Sequence, residues 1–184
     1  APIRIVGGKI HARLFRGTYT IKSFGGTLET RKMKWSDDHH FDWIKLAVPG
    51  WCDDKNIEAM SRAIEAMPLG AVVEIGSYVG RSTCIISRLL ELYVRDAEFF
   101  SVDDWYFEGF VIGGRVSEHI THDNFREYVE RQYRTNIDYF TGRRPFHIKM
   151  RSDDFFRCWN DRQERIDLFE RPVTLGGEIA FGVI

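Results

Sequence analysis

VVEIGSYVGRST, at residues 72–83, is the stretch that decides the fold of this chain. An apolar, β-branched run ends in a carboxylate, crosses a turn with two glycines and enters STCIISRLLELYV, whose apolar residues recur at helical spacing. The pattern predicts a buried strand, a turn and a helix. In an open α/β sheet, ligands bind beyond the carboxyl ends of the strands, where such a turn offers unpaired backbone N–H groups and a helix N-terminus. The stretch therefore indicates a ligand site as well as a fold.

Strand and helix patterns alternate on both sides of this stretch. The helix NIEAMSRAIEAM precedes it behind a cap at Asp53 or Asp54, and AEFFSV follows as a second strand. Farther along, THDNFREYVERQYRTNID is predicted as a helix capped by Thr121, FHIKM as a third strand, DDFFRCW as a short helix, and RIDL and GGEIAFGVI as further strands. The alternation predicts an α/β fold with a Rossmann-like, doubly wound and mainly parallel sheet that is covered on both faces.

The first 35 residues follow a different pattern. Polar residues alternate with apolar or aromatic ones in KIHARLF and TYTIKSF, and glycine pairs interrupt them, which predicts short antiparallel strands or an extended arm. We expect an N-terminal, strand-rich arm over residues 1–50 and one main domain over residues 51–184. The arm could support a homodimer by strand addition, but an arm folded back on its own domain explains the pattern equally well.

Composition indicates which binding partners and which cellular environment to expect. The 184 residues carry 26 Lys and Arg against 27 Asp and Glu, a balance that favours neither nucleic acid nor an anionic membrane as a partner. No stretch approaches the roughly 20 apolar residues of a membrane span. The three cysteines are far apart and form no CxxC pair, which argues against a zinc site and against a disulfide framework. We expect a soluble, cytoplasmic protein with reduced thiols.

The residue types of the turn after the first strand favour a ligand site. Gly76 and Gly80 permit positive φ and close approach of the backbone to a ligand, while Ser82 and Thr83 can cap or line the first helical turn. Glu74 needs a partner at the end of a buried strand, and a ligand cation or amine would supply one. The Gly-x-x-x-Gly spacing is neither the dinucleotide fingerprint nor the phosphate loop. A purely structural turn would show the same glycines.

This motif resembles the first motif of the class I S-adenosylmethionine-dependent methyltransferases. VEIGSYVGRST is similar, more narrowly, to the small-molecule O-methyltransferase group of methyltransferase family 24, which includes the macrocin-type enzymes. The resemblance implies that Glu74 and the backbone of residues 76–80 hold the methionine end of the cofactor. Ser77 and Tyr78 would line it.

Two further motifs of the family have counterparts after the next two strands. FFSVDDW supplies Asp103, with Asp104 adjacent, where the family binds both ribose hydroxyls through an acid. RSDDFF supplies Ser152 and Asp153, where the family contacts the adenine, although both could simply cap the following helix. The resemblance thus predicts a cofactor site made of Glu74, Gly76, Ser77, Tyr78, Gly80, Ser82, Thr83, Asp103, Asp104, Ser152 and Asp153.

The acceptor side of the site is less defined by the sequence. Trp105, Tyr106, Phe107 and Phe110 form an aromatic cluster that could be core packing, a lid or an acceptor wall. The 19 residues from Asp103 to Thr121 are long for a plain connection, which favours a functional role for this segment.

Histidines are the visible candidates for a general base, but the sequence assigns no catalytic residue. His119 and His122 lie at a loop-helix junction, where a solvated helix entry explains them equally. His39 and His40 lack an i, i+4 partner and a clear third ligand, so we predict no metal site from them.

The chain departs from the family after RIDL. The family continues with an Asp-Gly-x-His element and a helix, whereas here FERPVTL leads directly into GGEIAFGVI. A parallel crossover needs a dozen or more residues. We therefore hypothesise that further residues belong near 168–169. We expect them near 181–182 as well, because the family continues there with a polar His-Asp pair and further strands. In metal-dependent relatives the missing acids hold Mg²⁺, so Mg²⁺ would depend on residues that this sequence lacks.

These observations predict an S-adenosylmethionine-dependent methyltransferase that acts on a small molecule, with the oxygen of a hydroxyl group as the methylated atom. Two alternatives stay open: a Rossmann-type oxidoreductase that binds NAD, and a non-catalytic methyltransferase-like module that binds a partner. Nucleic acid is not the expected acceptor, because the Asn/Asp-Pro-Pro-Tyr motif of the base-modifying branches does not occur.

Overall fold

The computed structural model describes residues 3–4, 11–15, 18–21, 29–93, 96–106 and 117–184. Four short strands open the chain and pair in sequential order as an antiparallel sheet. They are β1 (Ile3–Arg4), β2 (His11–Phe15), β3 (Thr18–Ile21) and β4 (Glu29–Lys32). The prediction of short antiparallel strands in the first 35 residues is confirmed.

Helices and strands alternate through the rest of the described chain. In chain order these are a 3₁₀ turn (Trp35–Asp37), α1 (His40–Ala47), α2 (Asp54–Ala66), β5 (Ala71–Ile75), α3 (Arg81–Leu92), β6 (Phe99–Val102), α4 (His122–Phe140), β7 (Phe146–Ile148), α5 (Ser152–Asn160), β8 (Glu164–Ile166), β9 (Pro172–Thr174) and β10 (Ile179–Val183). Of these elements, the 3₁₀ turn, α1 and β9 were not predicted. Among the described residues, no helix combines the length and apolarity that crossing a membrane requires.

The main sheet is parallel and has the strand order β10-β5-β6-β7. The chain builds outward from β5 to β6 and β7, and then returns to the other side of β5 to add β10. In parallel sheets, a crevice opens at the carboxyl ends of the strands where the strand order reverses in this way. The chain therefore has an α/β fold, compatible with a Rossmann-like arrangement, and its crevice lies between β5 and β10.

Alternate residues of the sheet face two apolar cores. On one face, Val72 and Phe99 pack with apolar residues of α1, α2, α3 and α4. On the other face, Val73 and Phe100 pack with Trp159 of α5 and with the β9 segment. Helices therefore flank both faces of the sheet, as the alternating pattern predicted.

Two helices begin at the predicted caps. The side chain of Asp53 accepts hydrogen bonds from the backbone N–H groups of Lys55 and Asn56 at 2.9 and 3.0 Å. The hydroxyl of Thr121 accepts one from the N–H of Asn124 at 3.1 Å. Each bond satisfies an N–H group that has no partner inside its own helix. The capping residue Asp53 directly follows residues 49–52, which line a cavity described below.

RIDL contributes a strand, as predicted, but this strand does not join the parallel sheet, although the crossover argument had assumed that it would. β8 pairs with β9 as an antiparallel hairpin, and GGEIAFGVI supplies the strand beside β5. Asp167 stabilises the hairpin turn, because one of its carboxylate oxygens accepts from the N–H groups of Phe169 and Arg171 at 3.0 and 2.8 Å. The crossover to β10 therefore begins at β7 and includes α5, which is long enough for a parallel connection. The crossover argument for further residues near 168–169 therefore no longer applies, whereas the hypothesis of further residues near 181–182 stays a prediction.

The helix α1 belongs to the same core as the helices that follow it. Phe41 and Ile44 are buried within the core that α1 shares with α3. The guanidinium of Arg88 in α3 donates to the carboxylate of Asp38 at 2.7 Å. The last part of the segment predicted as an arm therefore packs with the main domain.

Candidate functional site

The turn after β5 is tightly curved and is held by the neighbouring strand. Gly76 and Gly80 have φ angles of +84° and +91°, and Tyr78 between them also has a positive φ of +48°. The N–H groups of Ser77 and Tyr78 donate to Oδ2 of Asp103 at 2.8 and 2.9 Å. The predicted positive φ at both glycines is confirmed. A non-glycine residue in this region costs about 1–3 kcal/mol, which the two hydrogen bonds help to offset.

Asp103 lies at the carboxyl end of β6 and organises this turn. Its second oxygen, Oδ1, accepts from the backbone N–H of Trp105 at 2.8 Å. Burial raises the pKa of Asp103, and the three N–H groups oppose this rise because they stabilise the anion. Since each carboxylate oxygen has two lone pairs, one acceptor position is left on Oδ1. The site thus offers one position for a ribose hydroxyl, where the sequence predicted two.

Two cavities meet at Asp103 and Gly76, and we name them by the strand beyond each. The β10-side cavity, of about 470 Å³, occupies the crevice between β5 and β10 and is lined by Pro49, Gly50, Trp51, Cys52, Asn56, Ala59, Met60, Gly76, Ser77, Tyr78, Arg81, Ser82, Asp103, Val183 and Ile184. The β7-side cavity, of about 210 Å³, is lined by Ile75, Gly76, Val102, Asp103, Asp104, Tyr106, Met150, Arg151 and Ser152. Together they fall within the size range of small-molecule sites.

A third cavity lies at the opposite end of the sheet. It measures about 360 Å³ and is bordered by Arg143 and Arg144 near the start of β7. Arg143 pairs with Asp96 at 3.0 Å, and Arg144 pairs with Asp138 at 2.8 Å. Because its cations are already paired and it lies away from the carboxyl ends of the strands, this cavity is the weaker candidate.

Glu74 has its hydrogen-bonding partners within the protein. Its side chain is only 1% exposed, and it accepts hydrogen bonds from the hydroxyls of Ser82, Thr83 and Ser101 at 2.5, 2.5 and 3.0 Å. Burial raises the pKa of Glu74, while the three hydroxyls oppose the rise. The sequence predicted a ligand amine as the partner, but hydroxyls of α3 and β6 take that place. Glu74 is absent from the linings of both cavities.

Glu74 belongs to a row of polar side chains that crosses the sheet. The strand register places Ser101 beside Glu74 and His147 beside Ser101. The imidazole of His147 stacks on Trp105 with ring centroids 4.7 Å apart, and burial lowers the pKa of His147 to about 3. Burial also raises the pKa of Tyr133, which lies over the row, well above its usual value. Sequence reasoning missed Ser101 and His147, although a polar residue inside each of two buried strands was a visible signal.

Arg81 holds the loop that forms the outer wall of the β10-side cavity. Its guanidinium donates to the backbone carbonyls of Lys45, Val48 and Gly50 at 2.7, 2.5 and 2.7 Å. Hydrogen bonds from a charged donor are stronger than neutral ones, and a cation is favourable at the C-terminal end of α1. Arg81 therefore joins the start of α3 to the loop at residues 48–50.

The structure brings most of the predicted cofactor residues to the two cavities, but not all. Gly76, Ser77, Tyr78, Ser82 and Asp103 border the β10-side cavity, and Asp104 and Ser152 border the β7-side cavity. Thr83 and Glu74 are buried beneath the turn. Asp153 is exposed, with its carboxylate 3.4 Å from Arg151. Of the pair predicted to contact adenine, only Ser152 borders a cavity.

Comparison with known proteins does not assign this chain to a family. The chain matches no protein-family model and no curated protein. Within the part of the chain that the structure describes, no group of three or more His, Cys, Asp or Glu side chains could hold a metal ion. The assignment of a function therefore depends on the geometry of the site itself.

The aromatic residues after β6 are divided between the core and the surface. Trp105 is fully buried, and its indole N–H donates to the carbonyl of Tyr78 at 2.8 Å. It is therefore a core residue that supports the turn, and not part of a lid. Tyr106 is half exposed and borders the β7-side cavity. Phe107 and Phe110 lie outside the described residues.

Neither of the two histidines proposed as bases lines one of the two cavities. His119 is exposed beside Glu118. His122 is buried at the start of α4, where its ring packs edge-on against Tyr106 with centroids 5.0 Å apart. A role for either as the general base stays a prediction.

The two glycines of the turn should respond differently to substitution by alanine. At Gly80, a Cβ would lie 3.1 Å from the Tyr133 ring, so overlap adds to the strain of the positive φ. We expect Gly80→Ala to lower the free energy of unfolding by about 2–4 kcal/mol. At Gly76, a Cβ would meet nothing within 4 Å, and the cost of about 1–2 kcal/mol comes from φ alone.

Urea unfolding of the two variants measures this difference. Because Gly76 borders both cavities, Gly76→Ala should in addition weaken ligand binding by filling open space beside Asp103. Equal losses of stability in the two variants would contradict the packing role assigned to Gly80.

Proposed function

We propose that this protein is an S-adenosylmethionine-dependent methyltransferase that acts on a small molecule. The observation that carries the proposal is the pair of cavities that meet at Asp103, at the carboxyl ends of parallel strands and beside the point where strand order reverses. That is where nucleotide-bearing ligands bind in open α/β sheets. The order β10-β5-β6-β7 also supports a doubly wound, Rossmann-like sheet of the methyltransferase type.

The residues around Asp103 fit an adenosine-containing cofactor. The free acceptor position on Oδ1 suits a ribose hydroxyl, and the open space beside Gly76 allows the ligand to lie close to the backbone. A ribose held at Asp103 would direct the adenine toward Ser152 in the β7-side cavity. The methionine end would then extend into the larger β10-side cavity, which leaves room there for an acceptor.

The cofactor would supply an activated methyl group, so the chain itself has to position the acceptor and exclude water. Asp103 orients the ribose and fixes the turn of residues 76–80. Glu74 positions the same turn from beneath, because it connects the end of β5 to Ser82 and Thr83 in α3. The loop held by Arg81 closes the outer side of the cavity. Each of these groups acts by holding geometry.

Isothermal titration of the whole chain tests the proposal. S-adenosylmethionine and its demethylated product, S-adenosylhomocysteine, should bind with micromolar dissociation constants, whereas NAD should not bind at comparable concentration. Circular dichroism and a cooperative thermal transition establish that the protein is folded. If folded protein binds NAD and neither methionine derivative, the oxidoreductase alternative replaces the proposal. If it binds none of the three, the non-catalytic module does.

A further inference from the structure

Trp51 is an exposed indole at the mouth of the β10-side cavity. It is 88% exposed and borders the same cavity as Asp103. Its ring contacts that of Tyr78, with centroids 5.8 Å apart and an angle of 39° between the planes. A single exposed aromatic residue is ordinary on a protein surface. A pair of rings that borders a ligand cavity calls for a more specific explanation.

Separate hydrogen bonds hold the backbone beside each of the two rings. Trp51 directly follows the loop whose carbonyls at Val48 and Gly50 accept from Arg81. Tyr78 has a strained backbone with positive φ, and its N–H group donates to Oδ2 of Asp103 at 2.9 Å. The backbone beside each ring is therefore held before any ligand arrives, which lowers the entropy cost of ordering the pair on binding.

Beside the aromatic pair, the rest of the cavity lining favours a neutral and partly apolar acceptor. Met60, Val183 and Ile184 contribute apolar surface. The only cation among the described lining residues, Arg81, already donates from all three of its nitrogens to backbone carbonyls. Burial raises the pKa of the Cys52 thiol to about 12, so the thiol is neutral at physiological pH.

We propose that Trp51 and Tyr78 form the acceptor subsite and stack against the ring of an uncharged phenol. This inference rests on the proposed methyltransferase function. In the reaction, the phenol O–H bond breaks and its proton passes to solvent, an oxygen–carbon bond forms, and the bond between the methyl group and sulfur breaks. The products are an aryl methyl ether and S-adenosylhomocysteine.

A phenol is acidic enough to need little help from a general base, and the groups that line the β10-side cavity offer little. A phenol loses its proton near pH 10, about six units below water at 15.7, so it requires less help from a base than a sugar hydroxyl does. Among the described residues that line the β10-side cavity, none is a histidine, and Asp103 has most of its acceptor positions occupied. A phenol is therefore a better match for this lining than an aliphatic alcohol.

Matched pairs of probes test the inference on the whole protein. Catechol is compared with cyclohexane-1,2-diol, and 1-naphthol with decahydro-1-naphthol, so that each pair keeps its hydroxyls and changes only the flat ring. Binding is measured by isothermal titration in saturating S-adenosylhomocysteine, and methyl ether formation by mass spectrometry. The variants are Trp51→Ala, Trp51→Phe and, as a control, Trp43→Ala. Trp43 is a 62% exposed tryptophan that does not border the cavity.

The aromatic member of at least one pair should bind more tightly than its saturated partner. Trp51→Ala should weaken that binding by about 3- to 10-fold, the range expected for a lost aromatic contact. Trp51→Phe should recover part of the loss, and Trp43→Ala should match the wild type. S-adenosylhomocysteine should bind equally to all four proteins.

Three outcomes would overturn the inference. The first is that Trp51→Ala binds the aromatic probes as tightly as the wild type, or that a wild type which binds S-adenosylhomocysteine binds none of the aromatic probes. The second is loss of S-adenosylhomocysteine binding in Trp51→Ala, which would assign Trp51 to the cofactor. The third is failure of folded wild type to bind S-adenosylhomocysteine at all, which would overturn the proposed function together with this inference.

Discussion

Asp103→Ala should abolish measurable binding of S-adenosylmethionine, a loss of at least about 100-fold in affinity. The substitution removes the acceptor for a ribose hydroxyl. It also releases the N–H groups of Ser77 and Tyr78, which donate to Asp103 at 2.8 and 2.9 Å. The turn then loses the contact that holds Tyr78 at positive φ. We expect the free energy of unfolding to fall by about 2–4 kcal/mol as well.

Two further variants separate binding from folding. In Asp103→Asn, the amide oxygen can still accept from the N–H groups of Ser77 and Tyr78, but the NH₂ group then faces the N–H donor of Trp105. We therefore expect an intermediate loss of affinity. Asp153→Ala is the control, because this carboxylate is exposed and borders neither cavity. Its affinity should stay within about twofold of the wild type. Tight binding by folded Asp103→Ala would contradict the ribose assignment.

Glu74→Ala should lower the free energy of unfolding by about 2–4 kcal/mol, because it leaves three hydroxyl donors without their acceptor and opens a small cavity. Glu74→Gln should fold normally, since the hydroxyls of Ser82, Thr83 and Ser101 can rotate to accept from the amide NH₂ group. It should also bind S-adenosylmethionine almost as well as the wild type. A direct contact between Glu74 and the cofactor amine predicts the opposite, a large loss of affinity in Glu74→Gln.

The pH dependence of stability provides an independent measurement on Glu74. Burial raises the pKa of this carboxyl in the folded state, so between its usual and its raised pKa the folded state binds more protons than the unfolded state. The contribution of Glu74 to stability is therefore fully present below its usual pKa and is lost as pH rises through the raised value. Glu74→Gln removes this dependence. The free energy of unfolding of Glu74→Gln, relative to that of the wild type, should increase as the pH rises above the usual pKa of glutamate.

Urea unfolding at several pH values between 4 and 8 measures this difference. Glu58→Ala serves as the control, because Glu58 lies on the exposed face of α2, where it pairs with Arg62. It should change stability by less than about 0.5 kcal/mol at every pH. A stability difference between Glu74→Gln and the wild type that falls with rising pH would show that the buried carboxylate is net stabilising in its charged form.

Local chemistry made much of the site predictable. Gly76 and Gly80 have positive φ because the chain must turn sharply between β5 and α3, and this requirement depends on neighbouring residues alone. The cap at Asp53 similarly depends on N–H groups within the next three residues. Asp103 was predictable because parallel strands bring their carboxyl ends to one edge of the sheet.

Other features of the site depend on which strands become neighbours. Ser101 and His147 are separated from Glu74 by 27 and 73 positions, and only the register of β5, β6 and β7 places them in one row. That row explains why Glu74 contacts hydroxyls where the sequence predicted a ligand amine. Trp51 likewise borders the cavity because Arg81 binds the loop before it.

The sequence by itself determined the alternation of strands and helices, the conformation of the turn after β5 and the acid at the end of β6, because short-range hydrogen bonding and hydrophobic periodicity decide these features. Only the tertiary structure decided that RIDL joins a hairpin, that β10 lies beside β5 and that Glu74 is enclosed by hydroxyls. Strand partners that are distant in sequence compete for the same backbone donors and acceptors. The choice among them depends on burial of whole faces of the sheet, which no local pattern contains.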